Sequence, residues 1–152
     1  MDIKELVDEF NPDNAIGGNI NLVSTFIIIK IKEILRKNQL DLTPEEFAIL
    51  IRLWAENGIP QSKLIEKTLK DKTNVSKLIE RLTKKSLIKR KTVETDQRNY
   101  IVYLTDKGTD LKYIVLPDIM QLMEAMSKNI STTDIETTIR TLKCIYKNLN
   151  EI

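Results

Sequence analysis

The sequence predicts a mainly α-helical fold carrying one small β-hairpin, and three observations predict it. Apolar residues recur at i, i+3 and i+4 through most of the chain. Two runs rich in Val, Ile and Tyr flank the polar stretch Glu94-Thr95-Asp96-Gln97-Arg98. Only four Gly and four Pro interrupt 152 residues, and no low-complexity segment or internal repeat is apparent. A composition 41% hydrophobic and 30% charged is that of a single globular domain.

Asn19 to Lys37 places Leu22, Val23, Phe26, Ile27, Ile31, Ile34 and Leu35 at helical spacing, and Ile28 and Ile29 widen the stripe. A helix apolar on more than one face needs more than one covering partner, either a second subunit or a deep position in its own core. Thr43-Pro44-Glu45-Glu46 reads as a helix start, with Thr43 as N-cap, Pro44 at the first helical position and Glu46 closing a capping box. That helix presents Phe47, Leu50, Ile51 and Trp54 on one face and ends before Asn57-Gly58, with Pro60 marking the next boundary.

From Gln61 two short helices follow, the first with Leu64, Ile65 and Leu69 inward, the second with Val75, Leu78, Ile79 and Leu82 inward. The second turns Thr73, Asn74, Ser76, Lys77, Arg81 and Lys84 outward, short polar or cationic side chains that reach phosphate oxygens and base edges. Leu87 to Val93 and Asn99 to Leu104 form the hairpin. Thr105-Asp106-Lys107-Gly108 opens another helix with Leu111, Val115, Ile119, Leu122 and Met126 at helical spacing, and Pro117 is placed to kink it. Ser131 or Thr132 caps a last helix, in which Ile135, Ile139, Leu142, Tyr146 and Leu149 trace a coiled-coil-like seam two heptads long. A seam of that length serves a second subunit or the helix's own domain equally well.

The formal charge of +2 conceals a strong asymmetry. Between Gln61 and Arg98 twelve Lys/Arg face five Asp/Glu, whereas the rest of the chain has an excess of five acids. A basic segment in an otherwise acidic chain suits a polyanionic partner, although a solvated lysine-rich face has the same composition. Several chemistries are excluded. With no His and the single Cys144, the chain can close no internal disulfide, build no Cys/His zinc site and assemble no Ser-His-Asp or Cys-His catalytic pair. No nucleophile, metal site or phosphate-cradling glycine loop emerges, so no enzyme, cofactor or metal is expected. The acidic Met1 to Phe10 segment is unlike a secretion signal. Phe26 to Ile31 is too short to span a bilayer, so the sequence predicts a cytoplasmic protein without membrane contact.

Two short helices, the second basic on its outer face, followed at once by a hairpin with a cationic tip, constitute a winged helix-turn-helix. The pattern resembles the MarR family of transcription regulators across essentially the whole chain. The residues that carry the resemblance are Leu42 to Leu50, Ser62 to Lys67, Asn74 to Leu82, Leu87-Ile88-Lys89-Arg90, and Asp96-Gln97-Arg98 ahead of Leu104-Thr105-Asp106-Lys107-Gly108. The chain departs from the family pattern at Ile65, where relatives have a small residue, at Leu69 and Ser86, where they have Gly, and at Glu94, where they have Pro. Turn and cap geometry is expected to differ at those glycine positions.

The resemblance implies a winged lobe over residues 41–108, with dimerisation helices in 1–40 and 109–152, all within one structural domain. It implies a homodimeric, sequence-specific DNA-binding regulator, most simply a repressor, on a pseudo-palindromic operator. Residues 71–84 form its recognition helix in the major groove, and residues 87–104 form a wing at the minor groove. Lys63, Lys72, Lys77, Lys84 and Lys89 then neutralise phosphates beside the outward Arg81, and Thr73, Asn74 and Ser76 reach base edges. In such regulators Asp96 would hold Arg98 for the minor groove; an ordinary surface ion pair is the alternative. A winged-helix module that binds an acidic protein instead of DNA is the competing function.

The resemblance also implies a small-molecule or redox signal. The expected pocket walls are Phe26, Ile27, Leu53, Trp54 and Tyr113, residues that serve equally as plain core. Cys144 has Arg140 at i−4 and Lys147 at i+3, the cationic setting of a reactive thiol, against which stand the nearby helix C-terminus and the common role of a lone Cys as a small buried hydrophobe.

Overall fold

The computed structural model describes residues 3–8, 11–68, 71–93 and 96–151; side chains at 5, 6, 8, 93 and 96–99 lie outside the description. The elements are α1 (Ile3–Asp8), a 3-10 turn (Pro12–Asn14), α2 (Ile16–Lys37), α3 (Pro44–Ala55), β1 (Ile59–Pro60), α4 (Gln61–Thr68), α5 (Lys72–Lys84), β2 (Ile88–Val93), β3 (Asp96–Leu104), α6 (Asp106–Ser127) and α7 (Thr132–Asn150). The chain forms two compact units, Met1–Val115 and Leu116–Ile152.

In the first unit, α3 starts as its sequence dictates. The Thr43 hydroxyl accepts from the Glu46 backbone N–H at 3.2 Å, and the Glu46 carboxylate accepts from the Thr43 N–H at 2.9 Å. The capping box thereby satisfies two donors that a helix start leaves without intrahelical partners. The core gathers Phe47, Ile49, Leu50 and Leu53 of α3, Leu64 of α4, Val75, Leu78, Ile79 and Leu82 of α5, and Ile59, Ile88 and Val102 of the strands. Leu111 and Val115 of α6 complete it, with Leu35 from α2. Each such side chain contributes roughly 1.5–3 kcal/mol by leaving water. Together they hold α5 with its polar face outward.

The sheet corrects the sequence reading in two places. It has three antiparallel strands in the order β1-β3-β2, not two. The added strand pairs through Ile59↔Val102 and Pro60↔Ile101. Two residues are too few to show periodicity, and Pro60, which signals a boundary in sequence, is tolerated on an edge strand. The second correction concerns the wing tip: Asp96, Gln97 and Arg98 belong to β3, not to the connection, and the register shifts between Thr92 and Val93. Helix α2 likewise begins at Ile16, three residues before the expected Asn19.

Three turns position these elements. Gly58 takes the left-handed conformation at φ 83°, while the Asn57 side-chain oxygen accepts from the Leu104 N–H at 2.9 Å. Ser86 also adopts positive φ (59°), so the left-handed turn after α5 forms without glycine. At the start of α6 the Thr105 hydroxyl accepts from the Gly108 N–H at 3.1 Å and donates to the Ser86 carbonyl at 2.7 Å. There the helix backbone passes so near the residue before β2 that a Cβ on Gly108 would lie 2.0 Å from the Leu87 carbonyl oxygen.

Helix α6 continues through Pro117, whose nitrogen has no proton to offer the Tyr113 carbonyl. In the second unit Ser131 is the N-cap of α7, its hydroxyl accepting from the Asp134 N–H at 3.1 Å. Along α7, Ile139, Leu142, Tyr146 and Leu149 are exposed; along α2, so are Leu22, Val23, Phe26, Ile28 and Ile29. No described helix is long and apolar enough to cross a membrane.

Candidate nucleic-acid interface

Helix α5 owes its start to Asp71, whose carboxylate accepts from the Asn74 N–H at 2.9 Å and from the Asn74 side-chain amide. The backbone hydrogen bond from Asn74 is the main reason the Asp71 carboxyl titrates below the usual carboxylate range. The Asn74 side chain is therefore held by one amide proton, and its oxygen and second proton have no partner among the described residues. Two residues on, the half-buried Ser76 hydroxyl accepts from Gln61 Nε2 at 2.8 Å, which ties α5 to α4.

Val75, Leu78, Ile79 and Leu82 point into the core, so the helical period forces Lys72, Thr73, Lys77, Arg81 and Lys84 to the exposed side. Lys72, Lys77 and Arg81 make no ion pair with any described residue. Their charge remains available to an outside anion. Lys84 pairs with Glu80 at 2.7 Å along the helix, and that hydrogen bond is the chief cause of the lowered Glu80 carboxyl.

Lys63 is placed differently from the others. It and Lys67 close on the single carboxylate of Glu56, at 2.7 and 2.9 Å. The Lys63 hydrogen bond, with that of Lys67 second, pulls the Glu56 carboxyl down to about 2. Of the cations the sequence assigns to the DNA contact, Lys72, Lys77, Arg81 and Lys89 are thus exposed without such a partner among the described residues, whereas Lys63 and Lys84 already hold one.

The wing adds two cations that sequence reasoning passed over. Arg90 stacks on Tyr100 and Lys91 on Tyr103, each with its charged group 5.4 Å from the ring centroid. Their signal was the triplet Lys89-Arg90-Lys91, but the aromatic partners follow only from the strand register, Lys89↔Tyr103 and Thr92↔Tyr100. The side chains of Asp96 and Arg98 lie outside the described residues.

The five expected pocket residues differ widely in burial. Leu53 is fully buried, and Trp54 packs edge-on against Phe47 at 5.7 Å while its Nε1–H donates to the Gly108 carbonyl at 2.9 Å. Ile27 is half-buried, and Phe26 and Tyr113 are 58% and 74% exposed. A cavity of about 630 Å³ lies elsewhere in this unit, between the turn Gln39–Leu42, the turn at Lys85 and Leu87, and the α6 face running from Lys107 to Ile114. None of the five lines it. In the second unit Cys144 is exposed, not buried as a small hydrophobe would be.

A helix with an outward cationic, hydrogen-bonding ridge, held beside a β-wing by a compact helical lobe, defines a winged helix-turn-helix DNA-binding protein. Comparison with known proteins agrees. The family model for the transcriptional regulators SarA/Rot matches residues 30–115. The chain is 27% identical to the HTH-type transcriptional regulator MhqR of Bacillus subtilis over 110 residues, which covers 72% of this chain and 76% of MhqR. It is 35% identical to the HTH-type transcriptional regulator MgrA of Staphylococcus aureus over 72 residues, about half of each protein (47% and 49%).

Among solved structures, S. aureus MepR in its DNA-binding conformation superposes with a TM-score of 0.81 at 22% identity, covering 89% of this chain and 98% of MepR. PcaV of Streptomyces coelicolor, solved with its natural ligand, gives 0.76 at 15% identity over 91% and 96%. CouR of Rhodococcus jostii RHA1, bound to p-coumaroyl-CoA, gives 0.77 at 17% over 89% and 94%. The chain belongs to the SarA/Rot family of transcriptional regulators and has the MarR-type winged-helix fold. It is a DNA-binding transcriptional regulator, and its curated relatives are regulators, not enzymes.

Proposed function

We propose that the protein is a cytoplasmic homodimeric repressor that binds a pseudo-palindromic operator, with α5 in the major groove and the β2–β3 wing at the minor groove of each half-site. The observation that carries this reading is the ridge Lys72, Thr73, Lys77 and Arg81, exposed and free of ion pairs with described residues, next to the exposed cations of β2. Lys72, Lys77, Arg81 and Lys89 neutralise phosphates, and Thr73, Asn74 and Ser76 read bases. Arg90 and Lys91 join the wing contact, with Asp96 and Arg98 at the minor groove.

The exposed apolar residues of α2 support a second copy, as do those of α7, because soluble chains rarely leave such stripes in water. Residues 19–37 and 121–149 then build the shared interface. Two-fold symmetry sets half-site centres about 10 bp apart. A small-molecule effector is supported by a cavity within the roughly 300–1,000 Å³ range of ligand pockets, and by the ligands that PcaV and CouR carry.

The test is selection of bound fragments from the parent genome, followed by titration of the recovered operator and of a random duplex at two salt concentrations. A palindromic consensus, tight binding by a dimer and a steep salt dependence are expected. No binding to either duplex at low salt would sink the reading in favour of an interaction module for an acidic protein.

A further inference from the structure

Lys85 closes the basic ridge in sequence, yet it faces the opposite way. It is the C-cap of α5, and its side chain is only 27% exposed. Its ammonium donates to Glu46 Oε2 at 2.9 Å and to the Asp41 backbone carbonyl, with the Asp41 carboxylate at 3.6 Å. Glu46 is 1% exposed and is the one buried charged residue among the described core. The same Glu46 oxygen accepts from the Thr43 N–H, so the α3 capping box and the α5 C-cap share a carboxylate. On its backbone side, the Lys85 carbonyl accepts from Lys107 Nζ at 3.1 Å. One lysine therefore joins the end of α5 to the α2–α3 turn, to the first turn of α3 and to the first turn of α6.

We propose that Lys85 is the positioning residue of the DNA-reading helix: its pairing with buried Glu46 fixes the C-terminal end of α5, and so sets where the ridge from Lys72 to Lys84 meets the bases. At the N-terminus α5 has the Asp71 cap and the Gln61–Ser76 link. At the C-terminus the polar tie from its last turn to α3 is the Lys85 side chain, while apolar contacts such as Leu78 and Leu82 are non-directional and permit sliding. An ion pair closed over a buried carboxylate, with its other acceptors already in place, has one geometry and resists rotation of the helix. Base contacts depend on the donor and acceptor positions of a few short side chains, so a small shift of α5 erodes base readout before phosphate attraction.

This proposal rests on the reading of α5 as the recognition helix, and the experiment separates the two. Operator and random duplexes are titrated at two salt concentrations against the full chain and Lys77→Ala, Lys85→Met, Lys85→Arg and the double variant Lys85→Met/Glu46→Gln, with a melting curve for each. Lys85→Met alone strands the Glu46 charge in the core and lowers Tm. The double variant removes both charges, keeps an oxygen for the Thr43 N–H and recovers Tm. The expected result is a roughly ten-fold loss of operator affinity, the scale of one lost base contact, in both Lys85→Met and the double variant. Random-duplex affinity and the salt slope stay unchanged, and Lys85→Arg remains within about two-fold of the parent. If operator affinity returns with Tm in the double variant, Lys85 acts through stability alone and the proposal is overturned. A salt slope reduced as in Lys77→Ala overturns it too, because Lys85 would then touch phosphate itself. If Lys77→Ala weakens binding while both Lys85→Met variants match the parent, the anchor fails and the interface stands. If neither position affects binding, both fail.

Discussion

Replacing Gly108 by Ala sets two effects against each other whose sizes can be read from the structure. Helix propensity favours Ala by about 1 kcal/mol. Against it, the new Cβ would sit 2.0 Å from the Leu87 carbonyl oxygen, where ordinary contact begins near 3.4 Å, so α6 and the Leu87 backbone just before β2 must part by more than an ångström. Overpacking of that kind costs about 3 kcal/mol, and the approach carries the Thr105 N–H to Leu87 carbonyl bond at 3.1 Å and the Trp54 to Gly108 bond at 2.9 Å. Straining one of these costs about 1 kcal/mol more. The clash wins, and Gly108→Ala is less stable by about 3 kcal/mol, a fall in Tm of roughly 6–12 °C for a chain of this size. The assay is thermal unfolding at fixed protein concentration, followed by the fluorescence of Trp54, the chain's one tryptophan. Gly17→Ala is the control: its Cβ meets nothing within 4 Å, so propensity acts alone and stability rises by at most about 1 kcal/mol. A Gly108→Ala protein that melts with the parent or above it would refute the argument from close approach.

Four further outcomes are expected. Lys77→Ala weakens binding to every duplex and lowers the slope of log K against log salt by about one unit, read from titrations across salt. Asn74→Ala leaves random-duplex binding unchanged but narrows the gap between operator and mismatched operators, as measured by competition. Thr43→Ala opens the capping box of α3 and lowers unfolding free energy by about 1 kcal/mol in denaturant melts. The Glu56 carboxyl is depressed in the folded state to about 2 from 4.5, so its stabilising contribution is present above pH 4.5 and is lost as pH falls towards 2. Glu56→Gln should therefore show a shallower fall of Tm between those pH values than the parent; parallel curves would contradict the Lys63–Glu56–Lys67 clasp.

Much of the fold was legible because its signals are local. The capping box at Thr43, the turn at Asn57-Gly58 and the alternation of Val75, Leu78, Ile79 and Leu82 with outward polar residues each follow from side-chain chemistry within one or two helical turns. The two-residue strand at Ile59 was not legible, because it exists only through pairing with Val102, more than forty residues later. The left-handed φ of Ser86 was not legible for a related reason: it is accompanied by a contact from far along the chain, the Thr105 hydroxyl on its carbonyl, and not signalled by a glycine.

The interface divides in the same way. By itself the sequence determined that a cationic helix face and a β-wing stand next to one another in a helical regulator, since periodicity fixes which residues of α5 leave the core. Only the tertiary structure decided which of those charges remain free. Lys63 and Lys67 are taken up by Glu56, and Lys85 by Glu46, across 7, 11 and 39 residues of chain. Charge counted along a sequence treats these lysines as equal to Lys72 and Lys77. The electrostatic energy of an ion falls with distance in space and rises as water is excluded, and neither quantity is set until the chain has folded.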